Sequence, residues 1–199
     1  MGHESKREPD LKPASASMVQ GDIRLVTIFT IGHSTRSFDE LASMLKAHGI
    51  ELLVDIRTVP RSRRNPQFNR EELARTLPEA GMEYRHMASL GGLRHPRRDS
   101  INSGWKNDSF RGYADYMETE EFARAIDELL AMAAERRVAI MCAEAVQWRC
   151  HRSLVADALA AGGVEVLHIQ SENRAAPHRI TPFARVEGNR VTYPGLMEQ

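Results

Sequence analysis

The chain has few cysteines, no excess charge of either sign and no long apolar run, and each shortage excludes a class of protein. Its 199 residues include two cysteines, too few for a disulfide framework, or for a standard four-ligand zinc site unless histidines contribute. The 27 basic residues balance the 27 acidic ones, so the chain lacks the charge of a dedicated nucleic-acid binder. No apolar run approaches the roughly 20 residues of a membrane span, and the N-terminus lacks a signal peptide's apolar core. We therefore expect a soluble, cytoplasmic protein with no membrane partner.

The common phosphate-binding loops are missing as well. Neither Gly-x-Gly-x-x-Gly nor Gly-x4-Gly-Lys-Ser/Thr occurs, which excludes the ordinary dinucleotide and P-loop sites. Arg149 follows Cys142 after six residues, so the Cys-x5-Arg loop of phosphatases is not reproduced. Any phosphate or metal site must therefore combine residues from several loops.

The pattern of the chain predicts a tail followed by one folded unit. Residues 1–22 mix Pro, Ser, Lys and Glu without periodicity, which is typical of a flexible tail. Residues 23–199 are expected to form a single α/β domain. Strands are predicted at residues 26–31, 52–56, 82–86, 138–141 and 164–169, and they alternate with helices that begin near Ser37, Asn69, Phe110, Thr119 and Cys150. This alternation indicates a mostly parallel five-stranded sheet flanked by helices on both faces, and residues 183–193 add a small C-terminal β-hairpin.

Polar side chains, and one pair of glycines that permits close backbone approach to a ligand, follow the predicted strands at the point where each strand ends. They are His33 and Ser34 after the first strand, Asp55 and Arg57 at the second, His86, Gly91, Gly92 and Arg94 after the third, and Cys142 and Glu144 after the fourth. Ligands of open α/β sheets bind outside the carboxyl ends of the strands. We therefore expect these groups to converge on one cleft.

The segment from Cys142 to Arg152 carries the most reactive groups. A buried strand stops at Cys142 and Glu144, and Cys150, His151 and Arg152 stand where the next helix starts. Helix N-termini and nearby cations favour thiolates, whereas burial and a carboxylate disfavour them, so Cys150 is expected to be the more acidic thiol. The alternative is that Cys142 is only a small buried apolar residue.

These motifs together resemble the DUF488 family. The resemblance is carried by Thr30-Ile31-Gly32-His33-Ser34, by Asp55-Ile56-Arg57 with Pro60-x-Ser62-Arg63-x-x-Pro66-x-Phe68, by Tyr84-x-His86 and Leu90-Gly91-Gly92-x-Arg94, and by Met141-Cys142-Ala143-Glu144 with Cys150-His151-Arg152. The match extends from about Ile28 to Ile169 in the family's order. It implies an α/β domain built around these motifs, while the family's name records an unknown function.

The candidate site residues fall into two groups. The catalytic candidates are Cys142 as nucleophile, Glu144 as acid or base, His33 and Asp55. The candidates for binding an anionic substrate are Ser34, Arg57, Ser62, Arg63, Tyr84, His86, Gly91, Gly92, Arg94, Cys150, His151 and Arg152. Arginine offers a rigid fork of donors for phosphate, and Asp55 is expected to orient Arg57 through an internal ion pair. Residues 57–64 contain four arginines and form what we call the arginine-rich loop. The alternative interpretation is that this loop is ordinary solvated surface with no role in binding.

Three functions are compatible with this sequence. The first is an enzyme that acts on a phosphate-bearing substrate related to nucleotides or nucleic acids, at the carboxyl edge of the sheet. The second is a thiol or metal redox protein that uses Cys142 and Cys150, with His151, and His33 or His86, as possible further metal ligands. The third is a noncatalytic module that binds nucleotides or nucleic acid. The sequence assigns no cofactor, and a small phosphate-bearing ligand or a nucleic acid is the expected partner.

Overall fold

The computed structural model describes residues 26–195, and the tail predicted over residues 1–22 lies outside them. Eight strands and five α-helices occur in this part of the chain. In order they are β1 (Thr27–Gly32), α1 (Phe38–Ala47), β2 (Leu52–Asp55), α2 (Arg70–Glu79), β3 (Glu83–His86), α3 (Asp108–Tyr116), α4 (Glu120–Glu135), β4 (Val138–Cys142), α5 (Arg152–Ala161), β5 (Glu165–Ser171), β6 (Arg174–Pro177), β7 (Arg185–Glu187) and β8 (Arg190–Thr192).

The main sheet has the strand order β3-β2-β4-β1-β5-β6. The first five of these strands pair in parallel, as the alternating sequence pattern predicts. The sixth strand was not predicted: β6 runs antiparallel to β5 at the edge, and its short sequence Arg-Ala-Ala-Pro lacks a strong β signal. The predicted hairpin is confirmed as β7 and β8, with Gly188 in the left-handed conformation that its tight turn requires.

The sheet buries side chains on both of its faces, and helices cover each face. Ile28, Val54 and Ile140 point to a core that includes residues of α3, α4 and α5. Alternate strand residues such as Phe29 and Leu53 point to the opposite core, beneath α1 and α2. This two-sided burial explains why the central strands read as continuous apolar runs. No helix within residues 26–195 is long and apolar enough to cross the membrane.

The residue before α1 caps its helix with its side chain, whereas the residue before α2 does not. Ser37 and Glu40 form the predicted capping box at the start of α1, with reciprocal hydrogen bonds of 3.1 and 2.7 Å. Asn69 precedes α2 as expected, but its side chain does not cap the helix. Its Oδ1 accepts a hydrogen bond from the main-chain N–H of Ser62 at 2.6 Å instead. Asn69 therefore fixes the arginine-rich loop to the start of α2.

We predict that Gly32→Ala destabilises the protein by about 1–3 kcal/mol, the usual cost of overpacking. A Cβ at Gly32, the last residue of β1, would overlap the carbonyl oxygen of Glu144. The matched control is Gly162→Ala after α5, where φ is −76° and the nearest atom lies 3.4 Å from the new Cβ. Urea denaturation should show a change below about 1 kcal/mol for this control. Equal losses in the two variants would contradict the close packing at Gly32.

Candidate functional site

The end of β2 carries a buried ion pair between Asp55 and Arg57. The Asp55 carboxylate accepts hydrogen bonds from Nε of Arg57 at 2.8 Å and from Nη2 at 2.5 Å, and also from the Arg57 main-chain N–H at 3.1 Å. Asp55 is fully buried and Arg57 nearly so. The internal ion pair expected from the sequence is therefore confirmed.

Arg57 also connects this ion pair to two other segments. Its Nη2 donates to the carbonyl oxygen of Phe68 at 2.7 Å, and its Nη1 donates to Nε2 of His33 at 3.2 Å. With the two bonds to Asp55, four of its five N–H groups are used inside the protein. Arg57 thus holds the ends of β1 and β2 and the loop before α2 in one arrangement, and it has a single N–H left for a ligand.

His33 is held as a neutral ring with a defined tautomer. Because Nε2 accepts a hydrogen bond from Arg57, the proton lies on Nδ1, which donates to the carbonyl oxygen of Ser34 at 2.8 Å. Burial lowers the pKa of His33, and its ring packs on Phe68 with centroids 4.4 Å apart. Ser34 has a φ of 53°, the only positive value for a non-glycine residue between residues 26 and 195. Backbone strain is therefore concentrated where β1 enters the site.

Tyr84 and His86 of β3 complete this polar cluster. The Tyr84 hydroxyl donates to Asp55 Oδ2 at 2.9 Å, and burial together with the charge of Asp55 raises the pKa of Tyr84. His86 donates from Nε2 to the main-chain carbonyl of Arg57 at 2.8 Å. The structure thus brings together five of the predicted site residues, which we call the ion-pair cluster: His33, Asp55, Arg57, Tyr84 and His86.

A second group, the thiol cluster, consists of Cys142, Cys150 and His151. The two sulfur atoms and Nδ1 of His151 all lie within 4.8 Å of one another. Nδ1 is 3.8 Å from Sγ of Cys142 and 3.7 Å from Sγ of Cys150. Nε2 of His151 donates to the carbonyl oxygen of Ile56 at 3.2 Å, so in the neutral ring the Nδ1 lone pair faces the sulfurs. The thiol cluster is therefore attached to the same β2 end as the ion-pair cluster.

The two glycines after β3 make room for protein groups. A Cβ at Gly92 would overlap the imidazole of His151, and a Cβ at Gly91 would overlap the side chain of Thr58. The space expected here for a ligand is thus occupied by the imidazole of His151 and the side chain of Thr58.

The acidities of the two thiols are opposite to the sequence-based expectation. The neighbouring Cys150 thiol is the main cause that lowers the pKa of Cys142, and the positive charge of Arg152 lowers it further. The neighbouring Cys142 sulfur, together with burial, raises the pKa of Cys150. These two directions oppose the prediction that Cys150 is the more acidic thiol.

Arg152 is a buried cation whose hydrogen bonds are incomplete. Only 2% of the residue is exposed, and its Nη2 donates to the carbonyl oxygens of Glu144 at 3.2 Å and Ala145 at 3.5 Å. Nε and Nη1 have no partner among the described residues. Burial lowers the pKa of Arg152. Glu144, the expected acid or base, contributes its main-chain carbonyl here and exposes its side chain to solvent.

The remaining candidates lie apart from both clusters. The Arg94 guanidinium stacks 3.6 Å above the Tyr116 ring and donates to the carbonyl oxygens of Ser89 and Gly91. The hydroxyl of Ser62 accepts from the main chain of Asn65 at 3.0 Å, and Arg63 is exposed. In the described part of the chain, none of these three predicted residues hydrogen-bonds a side chain of either cluster.

A chain of four buried polar side chains was missed by the sequence analysis. Asp157 Oδ1 accepts from Nε2 of His178 at 2.8 Å, Nδ1 of His178 lies 2.9 Å from Nε2 of His168, and Nδ1 of His168 lies 2.7 Å from the Thr30 hydroxyl. With both rings neutral, Nε2 of His178 donates to Asp157, Nε2 of His168 donates to Nδ1 of His178, and the Thr30 hydroxyl donates to Nδ1 of His168. The available signal was a polar residue inside each of two buried strands, Thr30 in β1 and His168 in β5.

We predict that Asp55→Asn destabilises the protein by about 3–5 kcal/mol, because it leaves Arg57 buried without its counter-charge. The matched control is Glu128→Gln, whose carboxylate pairs with Arg85 at 2.5 Å on the surface. Its loss should cost at most about 1 kcal/mol in urea denaturation. Similar costs for the buried and exposed pairs would show that the Asp55–Arg57 pair does not organise the site.

The histidine chain predicts sensitivity to acid. Burial is the main cause that lowers the pKa of His168 from 6.5 to about 3, so the unfolded chain binds a proton in this pH range that the folded chain does not. Stability should therefore fall as the pH falls from 6.5 toward 3. In His168→Asn the free energy of unfolding should depend less steeply on pH, because unfolding takes up as much as one proton fewer in this range. Val166→Ala in the same strand controls for general destabilisation, and an unchanged slope in His168→Asn would contradict the assignment.

Comparison with known proteins identifies the family. The family model described as domain of unknown function DUF488 matches residues 37–159, which are 123 of the 199 residues. This range contains Asp55, Arg57 and the complete thiol cluster, whereas Thr30, His168 and His178 lie outside it. No curated protein and no solved structure matches the chain at a significant level. The chain therefore belongs to the DUF488 family, as its motifs predicted.

Proposed function

We propose that the protein binds a thiophilic divalent cation, such as Zn²⁺, through Cys142, Cys150 and His151. The observation that carries the proposal is the convergence of two sulfur atoms and one imidazole nitrogen within 4.8 Å. These are the donor types that zinc prefers. The proposal develops the thiol and metal alternative of the sequence analysis, and it needs no ligand from the exposed loops.

The distances in the cluster support this proposal. For a tetrahedral zinc with Zn–S bonds of about 2.3 Å and a Zn–N bond of about 2.0 Å, each sulfur lies about 3.5 Å from the nitrogen. The two Sγ–Nδ1 distances are 3.8 and 3.7 Å. Each sulfur–nitrogen distance is therefore within a few tenths of an ångström of the value for a tetrahedral site, and the two sulfur atoms lie within 4.8 Å of each other.

The surroundings of His151 also favour metal binding. Metal-bound histidines usually donate their second ring N–H to a carbonyl or carboxylate, which fixes the tautomer and the ring orientation. His151 donates a hydrogen bond from Nε2 to the carbonyl of Ile56. The lone pair on Nδ1 is therefore available to coordinate a metal. The pKa of Cys142 is lowered, chiefly by the neighbouring Cys150 thiol, which favours the deprotonated sulfur that a metal ligand requires.

Three protein ligands leave a fourth tetrahedral position for water or substrate, the pattern of catalytic zinc sites. A metal bound there would supply Lewis-acid chemistry. The chain's own contribution is to exclude solvent from the sulfurs, since Cys142 and Cys150 are only 7% and 4% exposed, and to fix the imidazole through Ile56.

An enzyme acting on a phosphate-bearing, nucleotide-related substrate is a second proposal. It is supported by the incomplete hydrogen bonding of Arg152, which lies directly after the thiol cluster in the chain. Arginine is well suited to phosphate because its planar donors can bind two oxygens at once. The same observation is compatible with a noncatalytic nucleotide or nucleic-acid module, and loss of turnover with retained binding in Cys142→Ser would separate the two.

We predict that the reduced protein binds one equivalent of Zn²⁺ or Co²⁺. The cobalt form should show the sulfur-to-cobalt charge-transfer absorption that thiolate ligands produce, and Cys142→Ser, Cys150→Ser and His151→Gln should each weaken binding by about 10-fold or more. His48→Gln, which changes a half-buried histidine outside the thiol cluster that bonds the carbonyl oxygen of Ser171, should bind as the unaltered protein does. Elemental analysis and cobalt titration are the measurements.

Two results would contradict the metal centre. Equal metal affinity in the thiol-cluster variants and in His48→Gln would place the binding elsewhere. Absence of metal binding, combined with a Cys142–Cys150 disulfide detected by mass spectrometry after mild oxidation, would favour a metal-free thiol redox protein.

A further inference from the structure

We propose that a cavity of about 200 Å³ beside the start of α5 binds a phosphate-sized oxyanion through the guanidinium groups of Arg36 and Arg152. Both arginines line this cavity, together with Thr30 of β1, Trp148 and His168 of β5. None of the thiol-cluster residues lines it. The site is therefore separate from the metal centre and does not depend on a bound metal.

Arg152 provides the main argument. It is almost completely buried, yet its Nε and Nη1 have no hydrogen-bond partner among the described residues. Buried polar groups nearly always have partners, and an unpaired buried cation is especially unfavourable. The carbonyl oxygens of Glu144 and Ala145 hold only Nη2. Arg152 lines the adjoining cavity, so an anion bound there would lie beside this incompletely bonded guanidinium.

Arg36 adds a second positive charge to the same wall. Its Nη1 donates to the carbonyl oxygen of Gly32 at 2.6 Å, which anchors the guanidinium at the end of β1. Burial, and to a smaller extent the charge of Arg36, lower the pKa of Arg152. Two arginines that repel one another and line one cavity are typical of an anion site, because the anion relieves their repulsion.

The other polar groups of the wall do not neutralise these charges. The described residues that line the cavity include no aspartate or glutamate. Burial keeps His168 neutral by lowering its pKa to about 3, and its hydrogen bonds go to Thr30 and His178. The cavity therefore has a net positive wall formed by Arg36 and Arg152 alone.

The dimensions of the cavity indicate how much of a ligand it holds. Pockets for whole drug-sized ligands have volumes of about 300–1,000 Å³, and this cavity is smaller. It thus suits inorganic phosphate or the phosphate group of a larger molecule. A neighbouring cavity of about 430 Å³ shares Trp148 and His168 with it, so the remainder of such a molecule has adjoining space.

The test measures binding of inorganic phosphate to the chelator-treated full-length chain at constant ionic strength, by calorimetry and by thermal unfolding. The unaltered protein should bind one phosphate and unfold at a higher temperature in its presence. Arg152→Met and Arg36→Met should each bind phosphate about 10-fold or more weakly. Arg124→Met, which removes an exposed arginine of α4, is the matched control and should bind phosphate normally.

A second readout separates a lost ligand contact from a damaged fold. Without phosphate, Arg152→Met and Arg36→Met should each still unfold in one cooperative transition, so that weaker phosphate binding reports a lost ligand contact. Phosphate stabilisation of Arg152→Met and Arg36→Met equal to that of the unaltered protein and of Arg124→Met would overturn the proposal. Phosphate binding is measured on chelator-treated protein and needs no metal, so failure of the metal centre and failure of this site are distinguishable.

Discussion

The buried ion pair between Asp55 and Arg57 is the interaction on which the rest of the site depends. It lies at the end of β2, and the three residues from Asp55 to Arg57 accept hydrogen bonds from side chains of β3 and of the start of α5. Tyr84 donates to the Asp55 carboxylate, His86 to the Arg57 carbonyl and His151 to the Ile56 carbonyl. The orientation of the thiol cluster is thus set by a strand end that the ion pair holds in place. An internal charge pair of this kind is costly to desolvate, which suggests that it is retained for positioning.

The start of α5 joins two chemically different environments. On one side Cys150 and His151 meet Cys142 from β4, where two sulfur atoms and one imidazole nitrogen lie within 4.8 Å of one another. On the other side the Arg152 guanidinium borders the cavity that Arg36 and His168 also line. In the two proposals, consecutive residues of one helix start would therefore serve a site for a soft cation and a site for an anion. If both sites are occupied together, a phosphate group and a metal-bound ligand would be held close to one another.

Local sequence patterns predicted most of the fold and about half of the site's geometry. The apolar runs predicted the parallel strands, and the Ser37–Glu40 capping box predicted the start of α1, because both signals lie within a few consecutive residues. The sixth strand was missed because residues 174–177 carry little apolar character. The Asp55–Arg57 pair could be inferred because its members are two residues apart. Thr30 and His168 are separated by 138 residues, so only the three-dimensional pairing of β1 with β5 shows that they hydrogen-bond.

The reversed thiol acidities have a related cause. Rules for helix starts consider a single cysteine in the field of the helix and of nearby cations. In the folded chain, Cys150 is buried against a second thiol that takes its hydrogen bond, and this contact between β4 and α5 is invisible in the spacing. The stacking of the Arg94 guanidinium on Tyr116 of α3 is likewise a contact between distant segments that local spacing does not show.

X-ray absorption spectroscopy at the zinc edge, on protein loaded with one equivalent of Zn²⁺, tests the central claim most directly. The account predicts a four-coordinate zinc with two sulfur neighbours at about 2.3 Å and one imidazole nitrogen at about 2.0 Å, and a light atom in the fourth position. These would be Sγ of Cys142, Sγ of Cys150 and Nδ1 of His151. A first shell without sulfur, made only of oxygen and nitrogen atoms, would contradict it.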